Sequence, residues 1–141
     1  MTFNITSAIS NAILLSAIFL TGCTFTTTTT KQPVFNEDTN TIQAELNKIV
    51  SCENINLNGK EMSTNGKKHS ELEIDIINAQ NVPSDEDRMT ALEKSIALEI
   101  KKSLKDQNEY DTYQVLFITE HASGAVTLKS SKGRTFKSEE L

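Results

Sequence analysis

The segment Glu71-Leu72-Glu73-Ile74-Asp75-Ile76 decides the fold. Aliphatic residues alternate strictly with carboxylates along it, and a period of two is typical of a β-strand with one apolar face. The aliphatic face has to be covered by another layer, whereas the acidic face is expected to be solvated or salt-bridged. The neighbouring segments indicate what that covering layer is.

A long amphipathic helix is predicted directly after this strand, from Ser84 to Lys105. Ser84 is the expected N-cap, with Asp87 as its capping-box partner three residues later. Acidic residues fill the first turn and lysines fill the last, as the helix dipole favours. The apolar stripe that would pack on the sheet consists of Met89, Leu92, Ile96, Ile100 and Leu104.

A shorter helix is predicted upstream, over Thr39–Cys52, because apolar residues recur there at helical spacing. Its N-cap is expected at one of residues 38–40. A short strand, Asn54–Leu57, follows the helix. A polar segment with a strong turn signal, Asn65-Gly66, then connects this strand to the alternating one.

A hairpin is predicted in the last third of the chain. Tyr113–Ile118 is apolar on both faces, which is typical of a central strand. Residues 122–124 are expected to turn the chain, and Ala125–Lys129 to return beside the central strand. A second turn or a bulge is expected at residues 131–133, before a possible strand extension over Thr135–Lys137.

The predicted order is helix, strand, strand, helix, strand, strand. We therefore expect an α+β fold with two layers: a small sheet of about four strands, one long amphipathic helix and one shorter N-terminal helix. The basic side chains near the end of the chain are candidates to face the acidic row, although cross-strand ion pairs are too weak to fix strand order. The basic side chains are those of Lys129, Lys132, Arg134 and Lys137, and the acidic row consists of Glu71, Glu73 and Asp75.

The N-terminal end of the chain carries a different kind of signal. A short apolar run over residues 12–20 ends in Leu20-Thr21-Gly22-Cys23. This arrangement resembles the lipobox of bacterial prolipoproteins. The run of about nine residues is too short to span a bilayer, which needs about 20, and it suits the apolar core of a signal peptide, which has roughly 7–15.

The resemblance implies a defined maturation. The thiol of Cys23 would receive a diacylglycerol, a peptidase would cut between Gly22 and Cys23, and palmitate-class acylation of the new amino group would follow. Two or more acyl chains hold a protein firmly on a membrane, whereas a single chain binds reversibly. One feature departs from the family's pattern, since the first 22 residues contain no charged side chain. A plain signal peptide and a buried apolar segment that ends in cysteine are the alternatives.

The expected domain organisation follows from this resemblance. Residues 1–22 would be a signal peptide that is removed, residues 23–38 the lipidated cysteine with a threonine-rich tether, and residues 39–141 a single α+β domain. Low-complexity threonine followed by proline is typical of an extended, solvated spacer, which would lift the domain off the bilayer. In lipoproteins of enteric-type bacteria, Asp after the lipidated cysteine retains the protein at the inner membrane. Thr24 stands here, so the resemblance implies the outer membrane.

Charge and cysteine content limit the partners. The formal net charge of −5 lies entirely in the mature part, which makes nucleic acid a poor partner. Cys52 has no partner in the chain if Cys23 carries lipid. It is expected to be a small, buried apolar side chain, and a disulfide between two molecules is the alternative.

No catalytic, cofactor-binding or metal-binding motif is present in the sequence. His69 and His121 lie far apart near predicted strand ends, without the spacing of zinc ligands, and are expected at the surface. We therefore expect a non-enzymatic envelope lipoprotein, anchored to the bilayer through acyl chains on Cys23, that binds an unknown envelope protein or polymer. A small tethered hydrolase with a site assembled from distant residues, and a metal-scavenging surface protein, are the alternatives.

Overall fold

The computed structural model describes residues 25–123 and 126–141. The predicted cleavage and lipidation sites, Gly22 and Cys23, lie outside these ranges. The elements are β1 (Thr26–Thr30), α1 (Thr39–Ile49), β2 (Asn54–Thr64), β3 (Lys67–Ile77), α2 (Glu86–Ser103), β4 (Thr112–Ser123), β5 (Val126–Lys137) and a final 3-10 helix (Ser138–Glu140).

The strands form one mixed sheet in the order β1-β2-β3-β4-β5. Strands β3 and β4 are parallel, and the other neighbours are antiparallel. A parallel pair requires a crossover connection, which α2 supplies. The expected α+β fold is confirmed. The expectation of about four strands is wrong by one, because β1 is an additional strand.

The segment that decides the fold is the middle strand of this sheet. The aliphatic side chains Leu72, Ile74 and Ile76 are fully buried, as their alternation predicts. Helices α1 and α2 lie over this face, and neither of these two described helices covers the opposite face of the sheet. The buried apolar residues that the two helices contribute are Ile42, Leu46, Met89, Ile96, Ala97 and Ile100.

The start of α2 differs from the prediction, because the N-cap lies one residue later and the helix begins at Glu86. Asp85, rather than Ser84, is the N-cap, and its side chain accepts a hydrogen bond from the backbone N–H of Arg88 at 3.0 Å. The prediction of a capping box between Ser84 and Asp87 is therefore wrong. A carboxylate is a good acceptor at this end of a helix because the dipole favours negative charge there.

Helix α1 is capped as expected but ends early. The side chain of Asp38 accepts from the backbone N–H of Thr41 at 3.0 Å, which confirms one of the three predicted caps. The helix ends at Ile49 instead of Cys52, because Val50 adopts an extended conformation with φ −142° and ψ 126°.

The threonine tract is not a free tether. Thr26–Thr30 forms the edge strand β1, paired with β2 from Thr26↔Thr64 to Thr30↔Lys60. All five side chains are exposed, so the sequence has no apolar alternation to reveal the strand. β-Branched residues favour extended backbone, and an edge strand needs only a partner for its hydrogen bonds. The folded domain therefore begins before the predicted boundary at residue 39.

Strands β2 and β3 extend far beyond their predicted ends. The polar residues that were expected to connect them, Glu61–His69, form the distal half of a long hairpin. The predicted turn at Asn65-Gly66 is confirmed, with φ values of +51° and +79°. Positive φ at both central residues is what a two-residue type I′ turn requires.

Strand β5 is continuous, so the second turn or bulge predicted at residues 131–133 is wrong. Its register with β4 runs unbroken from Thr112↔Lys137 to Ser123↔Val126. A Cβ on Gly133 would lie 1.9 Å from the carbonyl oxygen of Val115, so this glycine permits close approach of two strands. Of the turn predicted at residues 122–124, the first two belong to β4 and the third lies outside the described ranges.

Only half of the basic segment faces the acidic row as expected. By register, Lys129 and Lys137 share the sheet face of the acidic row, whereas Lys132 and Arg134 lie on the opposite face. Arg134 and Lys132 share a sheet face with the buried Phe136, so they contact helix α2 instead. The Nε of Arg134 lies 3.4 Å from the Oε2 of the buried Glu93. In the acidic row, Glu73 pairs with Lys60 of β2 at 2.7 Å and the row is partly salt-bridged.

The two hairpins project in opposite directions because β3 and β4 are parallel. The β2–β3 arm consists of residues 60–70, which extend past the start of β4, together with β1. The β4–β5 arm consists of Thr119–Ser123 and Val126–Ser130, which extend past the end of β3.

Candidate functional site

An open cleft of about 710 Å³ lies where the β2–β3 arm meets the body of the domain. Three strands and α2 supply its walls. The chemically important side chains that line it are Lys68, His69, Lys101, Asp111, Thr112 and Lys137.

The sheet register brings these residues together. Thr112, the first residue of β4, pairs with Glu71 of β3 on one side and with Lys137, the last residue of β5, on the other. Lys101 lies in the last turn of α2, which ends beside the same sheet edge. The cleft is therefore a consequence of the topology, since it forms where one hairpin arm continues and the next pair of strands begins.

Asp111 links the beginnings of β3 and β4. Its Oδ2 accepts hydrogen bonds from the backbone N–H of Ser70 at 2.7 Å and from the Ser70 hydroxyl at 3.1 Å. The Asp111 backbone N–H in turn donates to the carbonyl oxygen of Ser70 at 3.0 Å. The Ser70 N–H holds the pKa of Asp111 below its usual range, with smaller contributions from the Ser70 hydroxyl, His69 and Lys31.

His69 lies between a carboxylate and a hydroxyl. Its Nδ1 is 3.5 Å from the Oδ2 of Asp111, and its Nε2 is 3.0 Å from the Oγ1 of Thr112. The imidazole is 43% exposed, so substrate or water can reach it. A carboxylate, an imidazole and a hydroxyl in this order are the groups that general-base activation of a nucleophile uses.

Lysines give the cleft an excess of positive charge. Lys68, Lys101 and Lys137 line it, against the two carboxylates of Asp111 and Glu139. The ammonium of Lys101 donates to the carbonyl oxygen of Ser138 at 2.5 Å, which fixes one positive charge in the wall. An anionic group with several oxygen acceptors, such as a carboxylate or a phosphate, suits this arrangement.

The cleft wall is tied to the end of β1. Tyr110 is buried, and its hydroxyl donates to the carbonyl oxygen of Lys31 at 2.7 Å. The Lys31 ammonium donates to the carbonyl oxygen of Glu109 at 3.1 Å. Burial raises the pKa of Tyr110, so the phenol stays protonated and keeps donating this hydrogen bond. The threonine strand and the cleft therefore share one hydrogen-bonded junction.

The other residues considered from the sequence lie elsewhere. Cys52 is half-buried against the core, and burial raises the pKa of its thiol, which keeps it in the unreactive protonated form. His69 and His121 lie on opposite arms, so they do not meet at one site. Within residues 25–123 and 126–141, no three His, Cys, Asp or Glu side chains are grouped closely enough to hold a metal ion.

The sequence did not indicate the residues that build the cleft around His69. Asp111 lies between the predicted helix and the predicted strand Tyr113–Ile118, and its partner Ser70 is 41 residues away in the chain. Lys101 appeared only as a favourable charge at the end of a helix. An Asp placed directly before a strand is a weak signal, and only the register of β3 with β4 turns it into a link between strands.

Comparison of the chain with known protein families, with curated proteins and with solved structures finds no match. In the described part of the chain, no helix is long and apolar enough to cross a membrane.

Proposed function

We propose that this protein is a lipid-anchored lipoprotein of the bacterial envelope whose folded domain is a binding module without catalytic activity. The observation that carries the proposal is the sequence Leu20-Thr21-Gly22-Cys23 at the end of a short apolar run. Acyl chains on Cys23 would hold the protein on the bilayer. Thr24 after the lipidated cysteine favours the outer membrane.

The cleft at the base of the β2–β3 arm is the proposed binding site. Its three lysines outnumber its two carboxylates, and the Lys101 ammonium is held in place by a backbone carbonyl. These features favour a ligand that presents a carboxylate or a phosphate, such as a group on an anionic envelope polymer.

The anchor is tested by metabolic labelling with a radioactive fatty acid in cells that produce either the natural protein or the variant Cys23→Ser. The natural protein should be labelled and should fractionate with the outer membrane, whereas the variant should remain unlabelled. Mass spectrometry should give a mature N-terminus at Cys23 with the mass of its acyl chains. An unmodified thiol at that position, or an uncut leader, would contradict the proposal.

The ligand class is tested by titrating the purified protein with inorganic phosphate and with acetate while recording amide NMR shifts. Amides of Lys68, Lys101 and Lys137 should shift together, and Lys137→Ala should weaken the binding. Lys94→Ala, which removes an exposed lysine on α2 outside the cleft, is the matched control and should leave it unchanged. Equal responses of both variants would refute a specific anion site.

A small tethered hydrolase is the second candidate, and the line of Asp111, His69 and Thr112 is the observation that favours it. Hydrolysis of an activated ester by the purified protein tests this function. Activity that His69→Ala and Thr112→Val both abolish, with folding intact, would establish the hydrolase. Activity that both variants retain, or no activity above buffer, favours the binding module.

A further inference from the structure

We propose that the tip of the β2–β3 arm docks on the phospholipid surface, so that the domain stands against the bilayer in one orientation. This inference rests on the proposed lipidation of Cys23 and goes beyond it, because an acyl anchor alone fixes neither distance nor orientation. The occupant of the surface is the headgroup layer of the membrane that holds the anchor.

The chain leaves almost no slack between the anchor and the fold. Only Thr24 separates Cys23 from Phe25, and β1 begins at Thr26. Two residue steps reach at most about 7 Å. Since β1 is hydrogen-bonded to β2 along its whole length, the threonines do not act as a spacer. The first residues of β1 must therefore lie close to the lipid headgroups.

The start of β1 and the turn of the hairpin lie at the same place. The backbone N–H of Asn65 donates to the carbonyl oxygen of Phe25 at 3.2 Å, and the Phe25 N–H donates to the Asn65 side-chain oxygen at 3.4 Å. These bonds hold Phe25 beside Asn65, although 40 residues separate the two in sequence. A membrane that lies close to Phe25 therefore also lies close to the turn at Asn65-Gly66.

The side chains at this tip suit a headgroup layer. Phe25 is 72% exposed, and an exposed aromatic ring favours the boundary between water and acyl chains. Lys67 and Lys68 are both exposed directly after the turn. An ammonium group near an anionic membrane surface is attracted to it within the Debye length. The tip thus combines an apolar contact with two lysines, of which Lys68 is paired with Glu61 at 3.0 Å.

The charge distribution of the whole chain favours the same orientation. Residues 25–31 and 60–70 contain four lysines and one glutamate, which gives this end a formal charge of +3. The chain carries −5 in total, so the remaining residues carry −8. An anionic surface attracts the first part and repels the second. This explains how a protein of net negative charge can dock on anionic lipid.

The absence of tryptophan from the sequence allows a direct test of the docking. The full-length lipidated protein would carry one tryptophan, either Thr64→Trp at the tip or Leu128→Trp on the β4–β5 arm. Each variant is reconstituted into vesicles of phosphatidylcholine and phosphatidylglycerol with brominated acyl chains, which quench indole fluorescence on contact. The tryptophan at position 64 should be quenched strongly, and the one at position 128 should not be.

Charge reversal at the tip provides the second arm of the experiment. In the Thr64→Trp protein, the pair Lys67→Glu and Lys68→Glu should shift the ratio of docked to undocked molecules at least about tenfold towards undocked, since each lysine near anionic lipid contributes roughly fivefold. The pair Lys94→Glu and Lys105→Glu changes the net charge equally on exposed α2-side positions and should leave quenching unchanged.

The outcomes separate this inference from the proposed function. Equal quenching at positions 64 and 128 in protein that sediments with the vesicles would leave the anchor standing and overturn the docking. Equal loss of quenching in both charge-reversed pairs would also overturn it. A natural protein without acyl chains on Cys23 would overturn both proposals.

Discussion

The two hairpin arms are built alike but are supported differently. Each arm is a pair of antiparallel strands that extends beyond the shared sheet, and the arms point in opposite directions. The β2–β3 arm gains β1 as a third strand, whereas the described part of the β4–β5 arm has two strands only. An isolated two-stranded hairpin is marginally stable in water, and a third strand stabilises it. The threonine tract thus makes the β2–β3 arm three-stranded.

The arms also differ in surface chemistry. The β2–β3 arm ends in exposed Phe25, Lys67 and Lys68, whereas Leu128 on the β4–β5 arm is 64% exposed beside the ion pair of Lys129 with Glu120. The β4–β5 arm contains one glutamate and one lysine and so has no net charge, whereas the β2–β3 arm with residues 25–31 carries +3. A lone exposed leucine is common on protein surfaces. The arm next to the proposed anchor at Cys23 is therefore the one whose surface suits lipid.

The largest expected effect is that of Gly59→Ala, which should separate β1 from β2. A Cβ at this position would lie 1.7 Å from the carbonyl oxygen of Lys31 and 2.4 Å from the Tyr110 hydroxyl, so backbone has to move. We expect the free energy of unfolding to fall by about 3 kcal/mol, as measured by urea denaturation. The β4–β5 arm should keep its native amide shifts.

Gly66→Ala is the matched control for that change. Gly66 has φ +79° with nothing within 4 Å of a built Cβ, so the cost is backbone strain alone, about 1 kcal/mol. If Gly66→Ala destabilises the protein as much as Gly59→Ala, close packing of β1 against the arm is not the reason.

Proline substitution in β1 tests which residues of the strand donate their backbone N–H groups to β2. Lys31 N–H donates to Gly59 and Asn65 N–H to Phe25, so odd-numbered residues of β1 point their N–H groups at β2. Thr29→Pro should therefore cost about 1.5 kcal/mol and weaken the strand. Thr28→Pro, whose N–H faces solvent, should cost less than about 0.5 kcal/mol. Reversed costs in thermal unfolding would contradict this register.

Tyr110→Phe tests the junction between β1 and the cleft. The change removes the hydrogen bond to the carbonyl oxygen of Lys31 and preserves the ring. We expect a loss of about 1 kcal/mol in the free energy of unfolding. Faster amide exchange at Lys31 should accompany this loss, since its N–H pairs with Gly59 at the same point. An unchanged exchange rate there would show that the junction does not hold β1.

The smallest expected effect is a change in acid stability from Asp111→Asn. The pKa of Asp111 is lowered in the folded state, chiefly by the Ser70 N–H. The carboxylate therefore stabilises the fold at a pH above its unfolded pKa, about 3.9, and this contribution is lost as the pH falls through the folded pKa. The stability difference between natural protein and variant should shrink below about pH 4. A difference that is constant with pH would contradict the role of the carboxylate charge.

The parts of the fold with a buried face were predictable from the sequence. The alternation around Ile74 and the stripe through Ile96 each report burial directly, and both elements are present. Strand β1 was not predictable in this way, because Thr26–Thr30 buries no side chain and its pairing depends on backbone hydrogen bonds. Patterns of side-chain polarity carry no information about such a strand.

The candidate site was less predictable than the fold. His69 was considered as a metal ligand and then predicted to lie at the surface. Its partial exposure agrees with that prediction. Its neighbours Asp111 and Thr112 come from the start of a strand that is parallel to its own, and parallel register is set by the crossover helix. No local pattern near His69 indicates which residues a crossover of this length will place beside it.

The threonine tract forms a strand that would hold the domain next to the proposed anchor at Cys23, and amide hydrogen exchange in the tract is the most direct test of that strand. The full-length protein should show alternating protection, with slow exchange at Thr27 and Thr29 and fast exchange at Thr28 and Thr30. Uniformly fast exchange from Thr26 to Thr30 would contradict the claim, because it would mean that the tract is a solvated tether.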